Sequence, residues 1–318
     1  MKKCLLICPL SFYGWHASIS KELKRRGYDI ELNNDEYPNN ILGLLIGNFF
    51  NTLSRKLTYL KFKEKLQASE QHYDLILIFK GRGLSSELID LFSSYSNKIV
   101  AYNFDSFKYF PHALNWFHKL ENYKTFDFSD SSANSIERVD LFSDYEPSNK
   151  ICKSIAFSCV MKNHSERLQY LDNVYSSLGN NYSFKIHIFE KNILTYFKGF
   201  IKNPRLFIKW RKYISFKSLS SADYFKVLES SKFTIDYAHP SQTGITMRCF
   251  QALACGTGVI SNNPYLSLSK SIDPHFFYIH KLGGDEELLN LHVTNNISSP
   301  FNSHTRNVKA FLDDLLVD

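Results

Sequence analysis

Residues 233–263, FTIDYAHPSQTGITMRCFQALACGTGVISNN, carry the densest set of groups able to do chemistry. Asp236 and His239 close an apolar run, Gln242, Thr243 and Gly244 follow Pro240, and Arg248 and Gln251 stand a turn apart. The pattern predicts a strand, a turn containing a glycine, a helix over about 243–255 ended by Gly256, and a strand at 258–262. A helix opening beside Gly244 would present first-turn amides with no side chain in the way, which suits a diphosphate. Ile245, Cys249 and Leu253 recur at i, i+4 and i+8 and would bury one face. Arg248 and Gln251 lie on another face, where they would reach a ligand.

Lys162 and Arg167 flank the loop after a predicted strand at 154–160. Cations there would neutralise a leaving diphosphate; a solvated loop with Arg167 paired to Glu166 or Asp172 explains them equally. Three residues are candidates for proton transfer. Asp105 ends the predicted strand 98–104, His16 follows Gly14 and Trp15 in the loop after the first strand, and His239 is fixed between a strand end and Pro240. Asp105 is equally placed to cap a helix, and His16 to cap or to pack. There is no DxD, no HExxH and no comparable ligand spacing, so neither a metal nor another cofactor is expected. Gly81-Arg82-Gly83 is not a GxGxxG sequence, and no Walker sequence is present.

The elements around these residues point to parallel α/β architecture, because short apolar runs alternate with helical patterns. In the first half the strands fall at 3–8, 28–32, 73–79 and 98–104, with two weaker ones at 124–128 and 139–143. Helices fall near 15–26, 53–70, 85–95 and 111–120. Glu146-Pro147-Ser148-Asn149 reads as a linker. A second alternation follows, with strands at 154–160, 183–189, 233–238 and 258–262, helices at 165–178 and 221–230, and an irregular basic segment between. The 318 residues thus divide into 1–148, 149–303 and a terminal helix at 304–318 expected to pack back on the first domain. Two Rossmann-like halves facing a cleft would bind ligands at the carboxyl ends of their strands.

Composition agrees with this class. Apolar residues make up 44% and charged residues 22%, which excludes a largely disordered chain. The net charge of +7 falls short of a dedicated nucleic-acid binder. Six cysteines without a CxxC suit a reducing compartment. The opening MKKCLLICPL is too short and too soon interrupted by Pro9 for a signal peptide, and ILGLLIGNFF at 41–50 is half a bilayer span. A cytoplasmic protein, peripheral at the inner face of the plasma membrane, is expected.

The segment 233–263 resembles the donor-binding βαβ unit of GT-B glycosyltransferases in the group 1 branch. It is most similar to the CgeB-like enzymes of bacterial surface-polysaccharide biosynthesis (lipopolysaccharide, O-antigen, capsule). The matching residues are Asp236, His239-Pro240, Gln242-Thr243-Gly244, Thr246-Met247-Arg248 and Asn262-Asn263, and YNFDSF at 102–107 resembles a second element of that group. Gln251 stands where those enzymes usually carry the glutamate that holds the ribose hydroxyls; a glutamine still bonds a hydroxyl but brings no charge. The resemblance implies a GT-B fold and metal-independent transfer of a sugar from a nucleotide-sugar donor to a glycan or lipid-linked glycan acceptor. A sugar-nucleotide epimerase of the same fold, or a non-catalytic nucleotide-sugar-binding subunit, is the alternative.

Residues 191–222 hold eight Lys or Arg and no acid, interleaved with seven aromatic residues. This suits an anionic membrane surface. Charge and rings would also suit single-stranded nucleic acid, which is not the expected partner, and a helix pair with a solvated basic face accounts for the pattern as well.

Overall fold

The computed structural model describes residues 1–10, 14–40, 43, 46–47, 49–69, 71–145, 152–179, 182–297 and 306–317. The chain forms two compact units. One comprises Met1–Asp144, Pro240–Gly244 and Asn307–Asp318; the other comprises Tyr145–His239 and Ile245–Arg306. The linker expected at Glu146–Asn149 lies outside the described residues.

Unit 1 is built on six parallel strands: β1 (Lys2–Ile7), β2 (Tyr28–Asn33), β3 (Leu75–Phe79), β4 (Ile99–Asn103), β5 (Asn122–Thr125) and β6 (Glu137–Arg138). Their order is β2-β1-β3-β4-β5-β6. Helices α1 (Trp15–Arg25), α2 (Asn51–Ser69) and α3 (Ser86–Ser93) connect the early strands, and α4 (Phe128–Asn134) follows β5. LILIF and IVAYN are buried throughout, as strands covered on both faces must be. Phe62, Leu66, Leu88 and Phe92 from α2 and α3 close over Ile76 and Ile78.

The helix predicted near 111–120 is two short 3-10 turns, Pro111–Asn115 and Phe117–Lys119. They break at Trp116, which leaves helical geometry and is itself buried. The strand predicted at 139–143 is displaced to β6; beyond it the Val139 amide still donates to the Thr125 carbonyl at 2.9 Å, and Ser143 makes an isolated bridge to Asn307.

Unit 2 holds β7 (Ile155–Lys162), β8 (Phe184–Phe189), β9 (Ile214–Ser215), β10 (Ser231–Asp236), β11 (Gly258–Ser261) and β12 (Phe277–Ile279). All are parallel, in the order β12-β11-β10-β7-β8-β9. Numbered from its own first strand, that is the doubly wound order 3-2-1-4-5-6, which reverses between β7 and β10. Its helices are α5 (Arg167–Leu178), α6 (Ile193–Lys202), α7 (Pro204–Trp210), α8 (Ser221–Ser230), α9 (Met247–Ala254) and α10 (Glu286–Asn296). In unit 1, α11 (Val308–Leu315) sets Phe311 against Phe79, Tyr102 and Phe142.

The segment expected to be irregular is the pair α6 and α7. Asn192 and Thr195 form a reciprocal cap at its start, and Pro204 opens the second helix. Gly199 permits the close packing, since a Cβ there would stand 2.3 Å from the Phe207 ring. No helix among the described residues is long and apolar enough to cross a membrane.

Candidate functional site

In unit 2 the sheet reverses between β7 and β10, so the carboxyl ends of these strands are where a ligand is held in such folds. Lys162 is the last residue of β7 and is exposed; Arg167 opens α5 and donates to the Lys162 carbonyl at 3.3 Å. Asp236 ends β10 and is buried. Its carboxylate accepts from Arg248 Nε at 2.7 Å and from the Thr246 hydroxyl at 3.0 Å. Burial alone would raise that carboxyl, but Arg248 and Arg167 hold it below the usual range. The same pairing keeps the Arg248 guanidinium charged against burial. Arg167 and Arg248 line one small cavity with Tyr170 and Tyr237.

His164, in the loop after β7, completes this group. Burial, then the charges of Arg167, Lys162, Arg248 and His239, push its imidazole down to about 3. Burial and Arg167 likewise lower His239, against the pull of Glu166. Both rings are neutral at pH 7 and offer hydrogen bonds rather than charge. This end of the sheet thus gathers Lys162, Arg167 and two neutral imidazoles beside Arg248, whose charge is paired with Asp236, and Glu166.

The helix start differs from the sequence expectation. α9 begins at Met247 and runs eight residues, with the extended Thr246 as its cap position. Ile245 precedes it, and Ile245, Cys249 and Leu253 are all buried. Gln251 lies one turn after Arg248 on α9 and is half-buried. Asn262 grips the chain after β10, accepting from the Ala238 amide at 2.7 Å and donating to the Ala238 carbonyl at 3.1 Å.

The amides expected to be open at Thr243 and Gly244 are engaged. Both belong to unit 1, where Asp127 caps α4. The Asp127 carboxylate accepts from Thr243 N at 2.6 Å, Gly244 N at 3.1 Å and the Thr243 hydroxyl at 2.7 Å. It also accepts the Ser129 and Asp130 amides at 3.0 and 3.1 Å. A buried carboxylate already holds the charge that this turn attracts.

Gly244 is required for a different reason than ligand approach. A Cβ there would stand 2.3 Å from the ring of Phe126, a buried side chain. Gly244→Val is therefore expected to lower the stability of unit 1 by about 1–3 kcal/mol through overpacking. An unchanged urea midpoint would contradict that reading.

Asp105 and Gln242 are brought together in unit 1: Gln242 Nε2 donates to Asp105 Oδ1 at 2.8 Å. Lys80 Nζ holds the other oxygen at 2.7 Å while lying 4.1 Å from the centre of the Phe110 ring. Each oxygen of Asp105 thus has a partner, and a substrate proton would compete with an ammonium. Lys80 was not singled out from sequence; its position directly after β3, before the Gly81 turn, was the available signal. His16 stands in the first turn of α1, beside Trp15, whose ring meets Phe104 edge-on at 5.3 Å. Its buried Nδ1 has no hydrogen-bond partner among the described residues. Among those residues, no group of three or more His, Cys, Asp or Glu side chains is placed to hold a metal ion.

No family model and no curated protein matches the sequence. Solved structures match along nearly all of it. The lipopolysaccharide outer core galactosyltransferase WaaB (apo form) is similar with a TM-score of 0.58 at 12% identity, over 99% of each chain. Sucrose-phosphate synthase from Thermosynechococcus elongatus gives 0.61 at 10% identity, over 99% of this chain and 95% of that one. The fold is GT-B. It is not confined to transferases: UDP-GlcNAc 2-epimerase from Methanocaldococcus jannaschii gives 0.60 at 10% identity, over 99% of this chain and 98% of that one.

In this GT-B chain, two of the buried acids near the carboxyl ends of the first sheet hold their protons more tightly than usual. Burial, with Glu36 beside it, pushes the Asp35 carboxyl up to about 6 although the Arg82 amide and Lys80 pull the other way. Burial and Asp127 push Asp130 up to about 6. An unfolded aspartate titrates near about 3.9, so the native state binds protons more tightly, and stability falls as pH rises from about 4 to about 6. Asp35→Asn retains an acceptor for the Arg82 amide, which Asp35 Oδ2 meets at 3.0 Å. Its urea midpoint is expected to match wild type near pH 4 and to exceed it by pH 7; parallel pH curves would contradict this.

Proposed function

We propose that the chain is a metal-independent glycosyltransferase moving a sugar from a nucleotide donor to a growing bacterial surface glycan, in the manner of the CgeB-like enzymes its sequence resembles. The observation that carries this reading is the cationic group at the switch point of unit 2: Lys162, Arg167 and the Asp236-anchored Arg248. Its charge suits the diphosphate that departs when the glycosidic bond to the donor breaks. Gln251, a turn along α9 from Arg248, is proposed to bond the ribose hydroxyls.

Transfer with inversion also needs an acceptor for the hydroxyl proton of the incoming sugar. Asp105, His16 and His239 remain the proposed groups for this side of the reaction. Asp105 orients the acceptor through the carboxylate that Lys80 and Gln242 fix, and His16 brings an imidazole whose Nδ1 has no partner among the described residues. Thr243, Gly244 and Ile245 shape the turn before α9.

Solved epimerases share the fold, and they need no separate acceptor. Incubation with nucleotide sugars alone, then with a lipid-linked glycan acceptor, separates the readings. Sugar transfer only in the second case, undiminished by EDTA, is the expected result. Epimer formed without acceptor assigns the alternative activity; neither product leaves a nucleotide-sugar-binding subunit. Loss of transfer in EDTA with rescue by Mn²⁺ contradicts metal independence.

A further inference from the structure

The basic stretch folds so that its aromatic residues and its aliphatic residues part company. Successive helix positions turn by about 100°. Tyr196 and Phe200 of α6 therefore share a face, and both pack on the core of unit 2 with the buried Phe207 and Trp210 of α7. The adjoining arc of α6 carries Ile193, Leu194, Phe197 and Ile201, which are 52%, 77%, 53% and 79% exposed. Lys198 and Lys202 come next around the helix, and Arg205 lies in the first turn of α7; all three are exposed. Four large apolar side chains open to water on one helix exceed the scatter of an ordinary surface.

We propose that this face of α6 lies on an anionic lipid bilayer. Ile193, Leu194, Phe197 and Ile201 enter the boundary between headgroups and acyl chains, and Lys198, Lys202 and Arg205 meet lipid phosphates. Charge selects the occupant: residues 191–222 contain eight cations and no acid, which repels a second copy of the same surface and attracts a polyanion. Single-stranded nucleic acid requires exposed rings for its bases to stack on. Here Tyr196, Phe200, Phe207 and Trp210 pack on the core, Phe197 and Phe216 are left as exposed rings, and the arc of α6 is mainly aliphatic. The inference does not depend on the sugar-nucleotide site.

Co-sedimentation with unilamellar vesicles of phosphatidylcholine containing about 30 mol% phosphatidylglycerol tests it, with pure phosphatidylcholine as the comparison. Wild-type protein is expected to bind the anionic vesicles and to be released as salt is raised. Each basic side chain at such a surface contributes about fivefold, so the triple variant Lys198→Glu, Lys202→Glu, Arg205→Glu should partition about 100-fold less. Lys209 is left out because Asp172 already pairs it. The double variant Leu194→Ser, Ile201→Ser should lose about tenfold. All five positions are exposed, so the urea midpoints should stay at wild type. Wild type that fails to sediment with anionic vesicles, either variant binding unchanged, or a single-stranded oligonucleotide displacing the protein from the vesicles overturns the proposal.

Discussion

Arg248→Ala is expected to destabilise unit 2 by about 3–5 kcal/mol, because it leaves a buried carboxylate without its counter-charge. Asp236 is 2% exposed, and Arg248 Nε is its charged partner at 2.7 Å. The neutral pair Asp236→Asn, Arg248→Met removes both charges and is expected to recover most of that loss, as when a buried ion pair is replaced as a unit. Denaturant unfolding of the two variants beside wild type measures the difference. A loss below about 1 kcal/mol for Arg248→Ala would mean that the pair is not the anchor described. Nucleotide affinity should fall in both variants, since neither retains the guanidinium; this separates the anchoring of Arg248 from its use.

Removing the Asp127 carboxylate should have an effect of similar size in unit 1. Asp127→Ala takes the acceptor from four backbone amides and one hydroxyl, at a position that is 1% exposed. At about 1–3 kcal/mol for each donor left dry, even two such losses cost about 2–6 kcal/mol. Asp127→Asn is the informative companion. Its carbonyl oxygen can still serve the Ser129 and Asp130 amides and the Thr243 hydroxyl, while its amide turns a donor toward Thr243 N and Gly244 N. An intermediate loss, with Thr243 and Gly244 amides exchanging faster than in wild type, is the expected outcome. Equal stability of wild type, Asn and Ala forms would show that the turn does not depend on this carboxylate.

The parallel sheets were legible because buried strands such as LILIF and IVAYN have no other plausible fate. Helices with clear punctuation were legible too: Gly27, in left-handed geometry, ends α1 as its sequence position suggests. The start of α9 was not. Sequence places Thr243 and Gly244 at a helix N-terminus, but Asp127, more than a hundred residues away, supplies a competing acceptor that no local pattern announces. Trp116 broke an apparent helix for a similar reason, since burying its ring outweighs local propensity. β12 and α10 were missed between 274 and 297, where neither a long apolar run nor a strong helical stripe marks them.

At the candidate site, Lys162, Arg167, Arg248 and His239 were named from sequence, and the charges of all four act on His164 to lower its imidazole. His164 itself went unremarked because one histidine in a short polar loop carries no spacing signal. The Asp105–Gln242 contact joins two stretches that sequence reasoning treated apart, and Lys80 came into view only through its ion pair with Asp105.

Isothermal titration of the protein with UDP-, GDP-, dTDP- and CMP-sugars, repeated with Arg167→Ala, tests most directly whether the cations after β7 and on α9 hold a sugar nucleotide. One base is expected to bind, and Arg167→Ala to weaken it by about tenfold or more, as loss of a charged contact to phosphate does. Absence of binding by every nucleotide sugar, or an affinity unchanged in Arg167→Ala, would contradict the assignment.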